Sequence, residues 1–174
     1  RVSLLDLDDG QTRFALNIKP RAGGGAAGAV VHTPGLPKLL AVAEGDRTIT
    51  AIDLVSGEVR WRHTLRRPGT YRVRRAGKLL LVAGESVLVA LDVATGEVIW
   101  RRRERLPFTG DLAVDHDSAF AVVSGAGTAR LLKLDPWSGE AYWSAEIDER
   151  PASGQPPLLT PSQVVIAVRD RRGS

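Results

Sequence analysis

The stretch Ala90-Leu91-Asp92-Val93-Ala94-Thr95-Gly96-Glu97-Val98-Ile99-Trp100 decides the fold, because it recurs. Residues 51–61 read Ala-Ile-Asp53-Leu-Val-Ser-Gly57-Glu-Val-Arg-Trp61, and residues 133–143 read Lys-Leu-Asp135-Pro-Trp-Ser-Gly139-Glu-Ala-Tyr-Trp143. A weaker copy opens the chain: Leu4-Leu-Asp6-Leu-Asp-Asp-Gly10-Gln-Thr-Arg-Phe14. Every copy holds an Asp, a Gly four residues on, and an aromatic four residues after that. Successive Asp positions lie 47, 39 and 43 residues apart. A repeat of this length marks a modular architecture in which each unit buries its face against the next.

Each copy reads as a hairpin. An alternating apolar run such as Leu88-Val-Ala-Leu-Asp92 is a strand. The Asp and Ser/Thr side chains bond turn amides. The Gly supplies a positive φ without steric cost, and the chain returns as a second strand carrying the aromatic. Upstream of the hairpins lie further apolar runs at 39–43, 79–83, 119–123 and 164–168, each preceded by a weaker strand. Helical periodicity is absent. About four strands per repeat at this period predict an all-β fold, a β-propeller of four-stranded antiparallel blades. Blade repeats are expected around 1–20, 28–65, 70–104 and 108–148 of a single propeller domain or fragment spanning 1–174, with a final partial blade at 156–174 pairing with 1–20. The chain enters at the third strand of a blade and leaves after the second. Three arrangements fit that phase: a four-bladed ring, half of an eight-bladed propeller completed by a second copy, or part of a longer chain.

These eleven-residue segments resemble the tryptophan-docking motif of the pyrroloquinoline-quinone-type, or quinoprotein-like, propeller family. That motif reads Ala-x-Asp-x-x-Thr-Gly-Lys/Glu-x-x-Trp. The copy ending at Trp100 matches every defined position, and the copy ending at Trp61 differs only by Ser56. The resemblance implies that Trp61, Trp100 and Trp143, with Phe14 in the first copy, pack between neighbouring blades. Asp6, Asp53, Asp92 and Asp135 and Gly10, Gly57, Gly96 and Gly139 belong to the same structural docking motif as its turn residues. Many bacterial members are assembly factors or sensor domains, so the resemblance implies a protein or peptide partner and a cell-envelope, periplasmic or extracellular location. Its dehydrogenase branch binds the quinone and calcium on the propeller axis, held by a vicinal disulfide, a stacking Trp and acidic ligands. This chain has no Cys, and its motif tryptophans are assigned to docking.

Composition narrows the rest. The 174 residues are 43% hydrophobic, enough for a core. Zero cysteines exclude disulfides, thiolate metal sites and cysteine nucleophiles. No apolar run approaches a membrane-spanning helix. The net charge of +4 is uneven: residues 60–105 carry 12 basic against four acidic side chains, and from 60 to 78 no acid occurs. This patch is read as a solvated arginine-rich edge on outer strands. Its Arg66, Arg67, Arg72, Arg74 and Arg75 are nonetheless candidates for partner binding. Trp137 is the second candidate. It sits inside the Asp-Pro-Trp-Ser-Gly turn, where Pro136 directs it outward, and an exposed Trp anchors partners well.

Other motifs are weaker. The glycine-rich 23–28 stretch lacks the Lys-Ser/Thr and the helix of a phosphate loop and reads as an inter-blade connection. Gly125-Ala-Gly127 reads as a hairpin turn, as does Asp115-His116-Asp117. His32, His63 and His116 show no metal-ligand spacing. The expectation is a non-catalytic scaffold or binding domain, without cofactor, that recognises a protein or peptide through loops or a sheet edge. Alternatives are a quinone- and calcium-dependent dehydrogenase, or a nucleic-acid or other polyanion binder using the arginine patch.

Overall fold

A computed structural model describes residues 2–5, 11–16, 28–31, 38–149, 151–152 and 155–169. The chain is all-β. Strands β3 (Gly28–Val31), β4 (Leu39–Glu44), β5 (Thr48–Asp53) and β6 (Val59–Thr64) form the first complete sheet. The second comprises β7 (Arg72–Ala76), β8 (Leu79–Ala83), β9 (Val87–Asp92) and β10 (Val98–Arg103). The third comprises β11 (Ala113–Val114), β12 (Ala119–Gly125), β13 (Thr128–Leu134) and β14 (Ala141–Glu146). All three are antiparallel meanders in chain order. Two-stranded sheets flank them: β1 (Val2–Leu5) with β2 (Thr12–Leu16), and β15 (Leu158–Leu159) with β16 (Val164–Val165).

Two observations orient each sheet. The first strands meet, with β7 packed beside both β3 and β11. The fourth strands face solvent, and every residue of β14 is exposed. The first strand is therefore inner and the fourth outer, the radial order of a propeller blade.

Period-two alternation splits each central strand between two cores. In β8 all five residues are buried. Leu80 and Val82 join Ile49, Val73, Val89 and Leu91 between the first and second sheets. Leu79, Leu81 and Ala83 join Leu88, Ala119, Ala121 and Leu134 between the second and third. A strand covered on both faces reads as an unbroken apolar run, as Leu-Leu-Leu-Val-Ala does. A further cluster of Phe120, Val122 and Leu131 meets Ile147, Leu159, Val164 and Ile166 beyond the third sheet.

The arginine-rich stretch expected on outer strands lies partly on an inner one. Arg72, Arg74 and Arg75 lie on β7, the inner strand of its sheet, and not on an outer edge. The packing of β7 beside β3 and β11 sets this inner position, and Val73 and Ala76 are buried there while the arginines between them stay half-buried.

Candidate functional site

The repeated turn is built the same way three times. The Gly57, Gly96 and Gly139 amides donate to the carbonyls of Asp53, Asp92 and Asp135 at 2.8–2.9 Å. The Asp carboxylates then cap the turn. Asp53 Oδ1 accepts from the amides of Val55 and Ser56, Asp92 Oδ1 from Ala94 and Thr95, and Asp135 Oδ1 from Trp137. All three glycines have φ between 74° and 76°, which ordinary side chains avoid. Asp53 also accepts from Arg60 Nε and Nη2, at 3.0 and 2.6 Å. Those Arg60 bonds, with the turn amides, hold its carboxyl below the usual carboxylate range.

Indoles meet these turns across the sheet boundaries. Trp61 is buried and its Nε1 donates to the carbonyl of Val93 at 3.0 Å. A Cβ added to Gly96 would stand 2.5 Å from Trp61 Cε3. Trp100 repeats the arrangement on the next sheet: Nε1 donates to Pro136 O at 2.9 Å, and a Cβ on Gly139 would stand 2.6 Å from Cε3. Two residues beyond each indole the chain touches the same turn again. Arg102 Nη1 donates to Gly139 O at 2.8 Å. The matching His63 is near Gly96, and among the described residues its buried Nε2 has no partner. Burial, the largest influence, pushes its pKa below the ordinary histidine value.

Trp143 departs from this pair. It is 41% exposed on β14, its ring tilted against Phe120 at 6.2 Å, and among the described residues no Asp-Gly turn covers it. Asp6, Gly10, His32, residues 23–27 and the side chain of Phe14 lie outside the described residues. His116 is exposed in a turn, where Asp115 Oδ1 accepts its amide.

The candidate binding residues divide between the two ends of the sheets. At one end, Trp137 and Arg75 converge on Gly77, in the β7–β8 turn. The Trp137 ring, 52% exposed, lies 3.4 Å from where a Gly77 Cβ would be, and Arg75 Nε donates to Gly77 O at 3.0 Å. Trp137 thus leans on the turn of the preceding sheet and leaves its other half to solvent. Arg74 is taken by an ion pair with Asp111. Arg72 is half-buried on the same strand.

At the opposite end, Arg66 and Arg67 are exposed in the β6–β7 loop. There they join Arg101 and Arg103 of β10 around a cleft of about 600 Å³ between the first and second sheets. Arg101 and Arg103 escaped sequence reading because they read as outer-strand cations. Only the packing of the second sheet against the first brings them to the same cleft as the loop. Among the described residues no three His, Asp or Glu side chains cluster to hold a metal, and no helix is long and apolar enough to cross a membrane.

A family model described as outer membrane protein assembly factor BamB matches residues 1–156. Among solved structures, BamB from Moraxella catarrhalis aligns with a TM-score of 0.67 at 18% identity, over 91% of this chain and 50% of that one. The chain therefore spans half the length of that relative. A computationally designed protein, Ika4, aligns with a TM-score of 0.63 at 13% identity, over 90% of this chain and 94% of that one. A europium-containing methanol dehydrogenase aligns with a TM-score of 0.54 at 19% identity, over 72% of this chain and 26% of that one. No curated protein sequence matches the chain.

Proposed function

The chain belongs to the family described as outer membrane protein assembly factor BamB, and from that premise we propose that it is a non-catalytic propeller scaffold that holds a protein partner of an assembly process. The observation that carries this reading is the half-exposed indole of Trp137, seated on Gly77 beside Arg75. A large aromatic propped by a neighbouring sheet loses little freedom on binding and offers apolar area next to a guanidinium, the pairing that dominates protein interfaces. The likeness to the dehydrogenase concerns the fold alone.

The test compares tagged protein purified from its native host with its Trp137→Ala variant, using mass spectrometry of what co-purifies. A protein partner recovered with the first and lost with the second, at unchanged melting temperature, supports the reading. Equal recovery with both removes Trp137 from the interface. We extend the proposal to a homodimer that completes a ring, supported by the outward face of Trp143. Light scattering would then return a mass near twice 18.7 kDa, and a mass near 18.7 kDa would end that extension.

A further inference from the structure

The cleft between the first and second sheets is a more finished structure than a solvated charge patch. Its loop is pinned at three points. Leu65 N–H donates to Arg47 O at 2.7 Å, Gly69 N–H to Asp46 O at 2.7 Å, and Tyr71 Oη–H to Arg67 O at 2.6 Å. The Tyr71 ring is buried and wedged so tightly that a Cβ on Gly84 would stand 2.6 Å from it. Arg66 and Arg67 are thus presented from a fixed backbone, opposite Arg101 and Arg103. Among the described residues none of these four guanidiniums has an ion-pair partner. The one acid in the lining, Glu104, is already bound by Arg102 Nε and Nη2, both at 2.7 Å. Like charges gathered around a low-dielectric wall of Leu65, Val87 and Val89 raise each other's energy unless an anion enters.

The fold does not demand this. The repeat supplies an internal comparison, because β14 stands in the third sheet where β10 stands in the second. Counting one and three residues past the aromatic, Arg101 and Arg103 correspond to Ser144 and Glu146. The matching cleft of the third sheet mixes Arg105 and Arg130 with Glu146 and Asp148. Two acids offset the cations in one cleft, whereas in the other the single lining acid, Glu104, is already held by Arg102.

We propose that this cleft binds an acidic, extended segment of a protein partner, its carboxylates received by Arg66, Arg67, Arg101 and Arg103. The inference rests on the scaffold reading and adds a second contact at the end opposite Trp137. A cleft of about 600 Å³ is of the size that encloses a short ligand. Guanidinium forks match carboxylates in geometry. Nucleic acid is disfavoured because Tyr71, the aromatic of the site, is 6% exposed and offers bases no stacking face.

The probe is a fluorescein-labelled octapeptide of alternating Glu and Val, read by anisotropy on the full chain. Arg101→Gln with Arg103→Gln should weaken it at least about tenfold, and raising salt from about 50 to about 200 mM should weaken it further. Both side chains are exposed, so the melting temperature should not fall. Arg130→Gln, in the other cleft, should change nothing. The proposal is overturned if the peptide fails to bind at low salt or if the double variant binds it equally well. It is also overturned if a labelled oligo-thymidylate binds as tightly with the same dependence on Arg101 and Arg103. If the peptide fails while the Trp137-dependent partner still co-purifies, only this inference falls. If the partner is lost from the wild type as well, the scaffold reading falls with it.

Discussion

Trp100 reaches across a sheet boundary to Gly139, and the glycine is as small as it must be for the ring to lie there. The indole donates to the carbonyl of Pro136 at 2.9 Å, and a methyl group on Gly139 would stand 2.6 Å from Cε3. One side chain thus fills an inter-sheet gap and satisfies its own polar atom on the same turn.

Trp100→Ala should destabilise by about 3–5 kcal/mol, the range for truncating a large packed aromatic. Trp143→Ala, on the exposed β14, should cost about 1 kcal/mol. Urea unfolding midpoints would show the difference, and equal losses would contradict the inter-sheet role of Trp100.

The glycine side of the contact is separable from its backbone angle. Gly139→Ala meets both a φ of 74° and the indole, and should cost about 2–5 kcal/mol. Gly45→Ala has a similar φ of 64° with nothing within 4 Å, so it should cost about 1–2 kcal/mol. Chemical denaturation of the two variants side by side isolates the contribution of the ring.

Asp53 should make the first sheet sensitive to acid. Its carboxyl is held below 3.8 by Arg60 first and by the amides of Val55 and Ser56. Well above that value folded and unfolded states are both ionised, and the stabilisation is complete. As pH falls through and below it, the unfolded chain takes up a proton first, and stability is lost. Melting temperatures of wild type and Asp53→Asn should therefore converge as pH is lowered from 5 towards 2. A gap that stays constant would remove the ion pair from the explanation.

His63 should act in a higher window. Burial and Arg101 keep its pKa below 6.5, outweighing the Gly96 carbonyl. Well above 6.5 the ring is neutral in both states. As pH drops from there, the unfolded state protonates first and the folded state loses ground. His63→Leu also removes a buried nitrogen that has no partner among the described residues, so the loss of packing geometry is offset. Thermal melts between pH 7.5 and 5 should slope for the wild type and flatten for the variant.

The amino-acid order alone was enough for the repeat, the hairpins and the all-β class. Those follow from local rules: alternation along a strand, an Asp that caps its own turn, and a Gly at positive φ. Asp92, Gly96 and Trp100 carry that information within nine residues. It did not reveal which cations share a space. Arg72, Arg74 and Arg75 looked like neighbours of Arg66 and Arg67, yet the loop that bends at Arg66 and Arg67 leads them to the inner strand, where Arg74 pairs with Asp111. Arg101 and Arg103, thirty-odd residues away in sequence, take their place around the cleft. Trp137 and Arg75 likewise meet only because adjacent sheets bring two turns to Gly77. Secondary structure is set by interactions over a few residues, whereas a binding surface is assembled from side chains of different sheets, and their meeting depends on how those sheets pack.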